Sequence, residues 1–423
     1  MRGKLLSAAL TASACLVVSV VPAEAGPAVT GDTADASVVT TWNEIADRTI
    51  VTENAKTIPE SGLYFGFVHL AMYDAVVAIR GGYQPYAYHR VADPAASPEA
   101  AAVTAAYDVL RHYFPASATN LAADYADSMA AIPNGRAKIR GRLVGTSAAA
   151  KLIRVRLGDG RNADITLDVE PAPGVWRPTP PAFAPMIVPW LGFVDPLVLA
   201  SDTQLQGRHP DALDSAAYAR DYAEVRAYGA REGSLRTQAQ TDTALFYTDN
   251  AVRQYQTALR AQVTDRGLGL LDSARAFALL GSATADAEIS CWRSKYDYAY
   301  WRPITAITLG DTDGNPATTA DPIWLPLVDT PPYPEYTSGH ACITGAATGT
   351  FSYLFGADAI DLDVYSAVAG ASRHYDTAGA LDTQTMNARI WLGLHFRKAM
   401  TDGNRQGHRS ADWASTHAFQ PTG

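Results

Sequence analysis

Pro331-Pro332-Tyr333-Pro334-Glu335-Tyr336-Thr337-Ser338-Gly339-His340-Ala341, continuing through small and apolar residues to Tyr353, is the stretch that organises this chain. Three prolines stiffen the approach, Ser338 is a residue type that caps helices, and Gly339 tolerates a tight backbone turn. The pattern predicts a helix opening at Ser338–Gly339. The first turn of a helix points backbone N–H groups outward without an internal acceptor, which suits an anion. His340, on that turn beside a hydroxyl and a glycine N–H, is placed to donate to the anion or accept from it. Alone, the motif fits an ordinary helix start with a surface histidine equally well, so its meaning depends on what flanks it.

Alanine-rich apolar spacing of three and four residues predicts helices over 42–50, 63–79, 98–113, 120–129, 135–154, 212–227, 237–263 and 273–292. Strand-like alternation is scarce, and the expected fold class is mainly α, helical bundles joined by long loops rich in proline and aromatics. The longest such loop, 158–210, carries Trp176-Arg177-Pro178-Thr179-Pro180-Pro181 and further prolines. Trp176, Phe183, Trp190 and Phe193 call for burial, so it reads as an ordered crossover rather than a flexible linker. Three regions follow: a leader at 1–25, an N-terminal helical region with the crossover at 26–210, and a C-terminal helical region at 211–423 that holds the motif, the last two expected to pack as one unit.

Residues 1–25 have a basic start (Arg2, Lys4), an apolar run from Leu5 to Val21 and the small-x-small site Ala23-Glu24-Ala25. This is the pattern of a cleaved secretory signal peptide, predicting a secreted protein. No later stretch reads as apolar over the ~18–20 residues a membrane span needs, so no stable membrane anchor is expected. The chain has 34 Lys and Arg against 43 Asp and Glu, a formal charge of −9, with no basic tract. That disfavours nucleic-acid binding and requires any anion site to be a local cluster of cations. Cys291 and Cys342 are the cysteines beyond the leader; a disulfide and a pair of small buried residues are both open readings.

Two further clusters give the helix start its context. Lys295 and Arg302 are seven residues apart, which on a continuous helix returns to within about 20° of one face, with Pro303 ending or kinking the element. Tyr296, Tyr298, Tyr300 and Trp301 lie between them, an aromatic setting unlike a solvated surface. Arg389 and His395 are six apart with Gly393 between them; on a straight helix they would diverge by about 120°, so convergence requires a turn at Leu392-Gly393-Leu394. His69 reads as a satisfied core histidine on an apolar helix face, and Asp311-x-Asp313-Gly314-Asn315 as a solvated turn rather than a calcium loop. Lys295, Arg302, Arg389, Ser338, Gly339, His340 and His395 together supply three cations, a hydroxyl, an amide and two histidines. That set fits a tetrahedral oxyanion.

In the order Lys-x6-Arg-Pro, Ser-Gly-His and Arg-x5-His, the chain resembles the superfamily of vanadium-dependent haloperoxidases and type 2 phosphatidic acid phosphatases. Within it the chain is most similar to the soluble bacterial haloperoxidase-like group. Trp42-Asn43-Glu44-Ile45, His69 to Val76, Trp176 to Pro180, Arg236-Thr237, Trp301 to Ile307 and Pro331 to Tyr336 carry the likeness across nearly the whole chain after the leader. The resemblance implies a helical-bundle fold and vanadate bound through His395 as metal ligand. Lys295, Arg302, Arg389, Ser338 and Gly339 would surround its oxygens, and His340 would assist proton transfer. Hydrogen peroxide and a halide or small organic substrate would be the partners. The phosphatase alternative gives His395 the attack on phosphorus and His340 the leaving-group proton, with phosphate as product or competitor; a non-catalytic oxyanion binder is the third reading. Trp292 and Tyr333 match aromatics near the halide pocket of the chloroperoxidases. Three departures from the family pattern stand out: Thr337 for proline, Ala388 for serine, and Ala399 where better-known haloperoxidases carry an aspartate that could orient the histidine. Asp242 and Asp249 are both placed where an acid could brace a motif arginine.

Overall fold

The computed structural model describes residues 35–356 and 360–422. The leader at 1–25 lies outside the described residues. Among those described are thirteen α-helices and one two-stranded antiparallel sheet, in the order α1 (Ser37–Asp47), α2 (Ile58–Arg80), α3 (Pro98–Tyr113), α4 (Ala118–Ala131), α5 (Arg136–Val155), α6 (Ala216–Tyr228), α7 (Gln238–Phe246), α8 (Ala251–Asp265), α9 (Leu270–Tyr298), α10 (Pro303–Thr308), α11 (Gly339–Phe355), β1 (Leu362–Ser366), β2 (Ala371–Tyr375), α12 (Ala378–Trp391) and α13 (Arg397–His417). The fold is mainly α, as the apolar spacing predicts.

Local chemistry sets many of the boundaries. The Ser97 side chain accepts from Ala100 N and starts α3, while Thr57 and Glu60 form a capping box ahead of α2. The continuous helix expected over 237–263 is instead two. Asn250 caps α8 by accepting from Arg253 N, and the Asp249 carboxylate takes the N–H groups of Asn250 and Ala367, so side-chain bonds to the backbone outcompete helix continuation.

α2 and α9 cross at the centre of a core that runs from Val39 to Phe419. Helix α2 is long and apolar enough to cross a membrane by length and composition, which corrects the expectation that no stretch after the leader is so; it is wholly buried in this core. The glycines at the α11–α13 crossing have no room for a side chain: a Cβ on Gly345 would lie 2.2 Å from Asn404 O, and one on Gly407 2.1 Å from Cys342 O. This close contact seats the start of α11 against α13.

The crossover loop is ordered and wraps the bundle. Trp176 and Trp190 are buried, Phe193 is half-buried against Tyr296, and Trp176 N donates to Ala299 O. Phe183 departs from expectation at 64% exposed, in a left-handed turn whose N–H returns to Thr179 O. The pairing of Lys295 and Arg302 also has a different origin from the one expected. Helix α9 ends at Tyr298, Ala299 is left-handed at φ 41°, and Arg302 is the N-cap of α10. A chain reversal brings the two cations together, not the phase of one helix.

Candidate active site

Each functional side chain enters from a separate break in helical structure. Lys295 comes from the last turn of α9, Arg302 from the cap of α10, Ser338 to His340 from the start of α11, Arg389 from the end of α12, and His395 from the turn ahead of α13. That turn is the one expected, with Gly393 at φ 78°, and a Cβ on Gly393 would meet Gly229 O at 2.6 Å. All of these side chains are buried: Lys295, Arg302 and Ser338 are fully enclosed, and His340, Arg389 and His395 are no more than 5% exposed.

Arg302 organises the centre. Its Nε donates to Tyr333 O at 2.8 Å, and Nη1 donates to Leu394 O at 2.9 Å and to His395 Nε2 at 3.2 Å. A guanidinium only donates, so Nε2 of His395 presents its lone pair, and the ring proton resides on Nδ1. That proton is donated to Glu335 Oε1 at 2.9 Å, and Phe396 N donates to the same oxygen at 3.0 Å. Burial pushes the Glu335 carboxyl up to about 8 even though Arg302, Lys295 and the Phe396 N–H pull it down, and Oε1 accepts two N–H donors. Burial and the cations Arg302, Lys295 and Arg389 push His395 well below the usual histidine range. Its Nε2 is therefore a neutral, oriented Lewis base.

Lys295 occupies a different position. Its Nζ donates to Pro334 O at 2.9 Å, to Glu335 O at 3.1 Å and to Thr337 O, so all three hydrogens fasten the loop leading into Ser338. Burial lowers it to about 8. The ammonium lies over the rings of Tyr333 (5.1 Å) and Trp292 (5.5 Å), and the Arg302 guanidinium is 4.7 Å from the Tyr333 ring. Trp292 and Tyr333, with ring centroids 5.0 Å apart, thus form an aromatic wall against the cations.

Several buried polar atoms have no protein partner: Arg302 Nη2, Arg389 Nε, Ser338 Oγ, His340 Nε2 and both carboxyl oxygens of Glu288. A buried guanidinium N–H without an acceptor costs several kcal/mol by order of magnitude, so such atoms gathered among the motif residues are the signature of a site for an oxyanion. His340 is pushed well below its usual range by burial and Arg389, while a backbone hydrogen bond with Asp249 acts the other way. Asp249 therefore bears on His340 through its backbone and on Asn250 and Ala367 through its carboxylate. Asp242 takes Gln238 Nε2 at the surface. Neither carboxylate is recorded on a motif arginine; Arg389 Nη1 donates to Tyr247 O at 2.9 Å.

Glu335 and Glu288 are the residues the spacing patterns missed. Glu335 lies within the quoted approach but 60 residues from His395, so only the fold pairs them. Glu288 had a weak signal, an acid seven residues before Lys295 on the same face of α9. A Cβ on Gly339 would be 3.1 Å from Trp292 Cζ3 and 3.4 Å from Glu288 Oε1, so the carboxyl lies directly against the start of α11. Burial pushes it well above 4.5, with Cys291 adding to the rise and Lys295 opposing it. With no N–H donor on either oxygen, the protonated form is the one this burial favours.

Cys291 and Cys342 are both buried free thiols. Thr337 sits between them, with Oγ1 3.4 Å from Cys291 Sγ and 3.7 Å from Cys342 Sγ. His69 is buried in the core as expected, paired to Asn43 at 2.7 Å through Nε2 and stacked on Phe277, but it is not fully satisfied, since its Nδ1 has no protein partner.

Residues 275–422, which carry all the motif residues, match the family described as the VCPO second helical-bundle domain. Vanadium chloroperoxidase of Curvularia inaequalis is 28% identical over 173 residues, 30% of this chain and 28% of that protein. Over residues 275–422 the chain is similar to the vanadium haloperoxidases. Its fold agrees: the solved structure of a bacterial vanadium-dependent iodoperoxidase aligns over 92% of this chain and 96% of that one, with TM-score 0.78 and 22% identity. A bacterial vanadium-dependent chloroperoxidase aligns over 91% and 97%, with TM-score 0.68 and 16% identity. Against the family pattern, Ala399 is fully buried and its carbonyl accepts Ser338 N at 3.2 Å. The orienting carboxylate is present after all, supplied by Glu335 on the loop ahead of α11. Thr337 keeps its hydroxyl occupied by donating to Gln406 Oε1 at 2.8 Å.

Proposed function

We propose that this chain is an exported, vanadate-dependent peroxidase of the haloperoxidase type, oxidising a halide or small organic substrate with hydrogen peroxide. The observation that carries the reading is the fixed tautomer of His395, whose neutral Nε2 accepts from Arg302 Nη1, beside motif residues with buried polar atoms that lack protein partners; binding vanadate would exchange that hydrogen bond for a bond to the metal. The residues fit vanadate: His395 would ligate it through Nε2, and Arg302 Nη2, Arg389 Nε, Ser338 Oγ and the Gly339 N–H would face its oxygens. Bound vanadate supplies Lewis-acid activation of peroxide toward the substrate.

The chain's own residues do the remaining work. Glu335 holds the ring of His395 and raises its basicity, as a carboxylate behind a ligating histidine does. Lys295 fixes the carbonyls of 334, 335 and 337 and so sets the direction in which Ser338 and Gly339 face. His340, neutral because burial and Arg389 disfavour its charge, accepts a proton at Nε2. Trp292 and Tyr333 screen the cations from water and line the side from which a halide would approach.

Bromide-dependent oxidation by peroxide, assayed on metal-free and vanadate-loaded protein beside phosphate-ester hydrolysis, tests this reading. Halide oxidation only in the loaded sample, suppressed by phosphate, is the expected result. Hydrolysis that vanadate inhibits, without halide oxidation, would replace it with the phosphohistidine mechanism. Binding of vanadate with neither activity would leave an oxyanion-binding relative.

A further inference from the structure

Against the residues that hold Tyr336 and Thr337 lies a cavity of about 280 Å³, whose lining includes Gly207, Arg208, Asp402, Arg405, Gln406 and Arg409. Three arginines gather here in a protein of net charge −9. Arg405 donates to Asp402 Oδ1 at 3.1 Å, but that carboxylate is already engaged by Lys398 Nζ at 2.7 Å and by the Tyr336 hydroxyl at 2.7 Å. Among the described residues, Arg208 and Arg409 have neither an ion pair nor a hydrogen bond. The lining is therefore in excess of positive charge, with two guanidinium groups free to bind.

The cavity's walls are the supports of the oxyanion loop. Gln406, 2% exposed on its floor, accepts from Thr337 Oγ1 at 2.8 Å and donates to Ser290 Oγ at 2.7 Å. Gly207 packs so closely that a Cβ there would be 3.2 Å from both Thr337 Cγ2 and the Tyr336 hydroxyl. Asp402 holds that same hydroxyl. The two residues that precede Ser338 are thus gripped by three residues of the cavity.

We propose that this cavity is a second anion site, taking a small multiply charged oxyanion such as sulfate or phosphate. Its occupancy is coupled to the catalytic pocket through Gln406, Gly207 and Asp402. Guanidinium groups bind such oxyanions bidentately, and drawing Arg208 inward presses Gly207 onto Tyr336 and Thr337. The site rests on its own lining residues and stands or falls apart from the peroxidase reading.

The test is calorimetric titration of sulfate at constant ionic strength, with chloride as the balancing ion. Wild-type protein, the double variant Arg208→Ala/Arg409→Ala and Arg302→Ala are compared. Sulfate binding should persist in Arg302→Ala and weaken at least about tenfold in the double variant, the loss expected on removing two charge-assisted contacts. Both arginines are exposed, so the double variant should melt as wild type does, and it alone decides if Arg302→Ala fails to fold. Unchanged sulfate affinity in the double variant overturns the site. For the coupling, vanadate affinity measured with and without saturating sulfate should differ in wild type and not in the double variant; no difference in wild type overturns it.

Discussion

Two carboxyl groups flank the oxyanion pocket, equally buried at 1% exposure, and the protein treats them in opposite ways. Glu335 accepts two N–H donors on one oxygen and stands behind His395; Glu288 has no partner on either oxygen and lies against Gly339. Burial raises both, yet the cations and the Phe396 N–H around Glu335 limit its rise to about 8, whereas Glu288, opposed only by Lys295, is pushed well above the usual carboxyl range. A buried carboxyl among cations is thus an anchor or a hydrogen-bond donor according to which N–H groups reach it. One side of the pocket sets the basicity of the histidine, and the other adds a neutral acid to a ring of donors.

The widest break in this comparison is removal of the group Glu335 serves. His395→Ala should abolish vanadate binding and lower vanadate-dependent turnover by at least about a thousandfold, read by ⁵¹V NMR and steady-state rates. Activity retained in that variant would remove His395 from the centre and leave Glu335 without a role.

Next in size is Glu335→Gln. The amide oxygen keeps a hydrogen bond to Phe396 N but loses the charge that holds Nδ1–H, so vanadate affinity should fall about ten- to a hundredfold. A positioning role predicts that the pH dependence of vanadate binding shifts with it. A variant that loses thermal stability while its affinity and pH profile stay as in wild type would reduce Glu335 to a packing group.

How far the site could be read in advance follows the same division between local and distant contacts. The turn at Gly393 was legible because the Arg389–His395 spacing demands a break and glycine supplies a left-handed residue. The start of α11 was legible from Ser338-Gly339, and α3 from the alanine-rich apolar spacing over 98–113. Lys295 and Arg302 were correctly grouped for the wrong reason, since the left-handed Ala299 has no sequence signal and their spacing of seven mimics one helix. The break between α7 and α8 depends on Asp249 reaching Ala367, which helical spacing does not register, and the local hairpin of β1 and β2 follows a period of two rather than of three and four. Glu335 and Glu288 were missed because burial decides what each does, and burial is a property of the whole core.

The smallest effect on activity, and the one that most sharpens the contrast, is expected of Glu288→Gln. If Glu288 acts as a neutral acid, glutamine preserves its shape and an N–H donor, so vanadate affinity and turnover should remain within about threefold of wild type. Stability should respond with a definite sign. Near pH 4 both the folded and the unfolded wild-type chain hold the proton at this position, and the two proteins should melt alike. Above about 4.5 the unfolded chain releases that proton while the folded state keeps it, so folded wild type binds more protons than unfolded. Wild type then loses about 1.4 kcal/mol per pH unit relative to the variant, until the pH reaches the raised value in the folded protein. Paired denaturant titrations from pH 4 to 8 measure this directly. Stability curves that diverge in favour of glutamine as pH rises establish a buried neutral acid. Curves that run parallel, with activity lost, would mean that Glu288 is ionised in the folded protein and acts as a second anchor like Glu335.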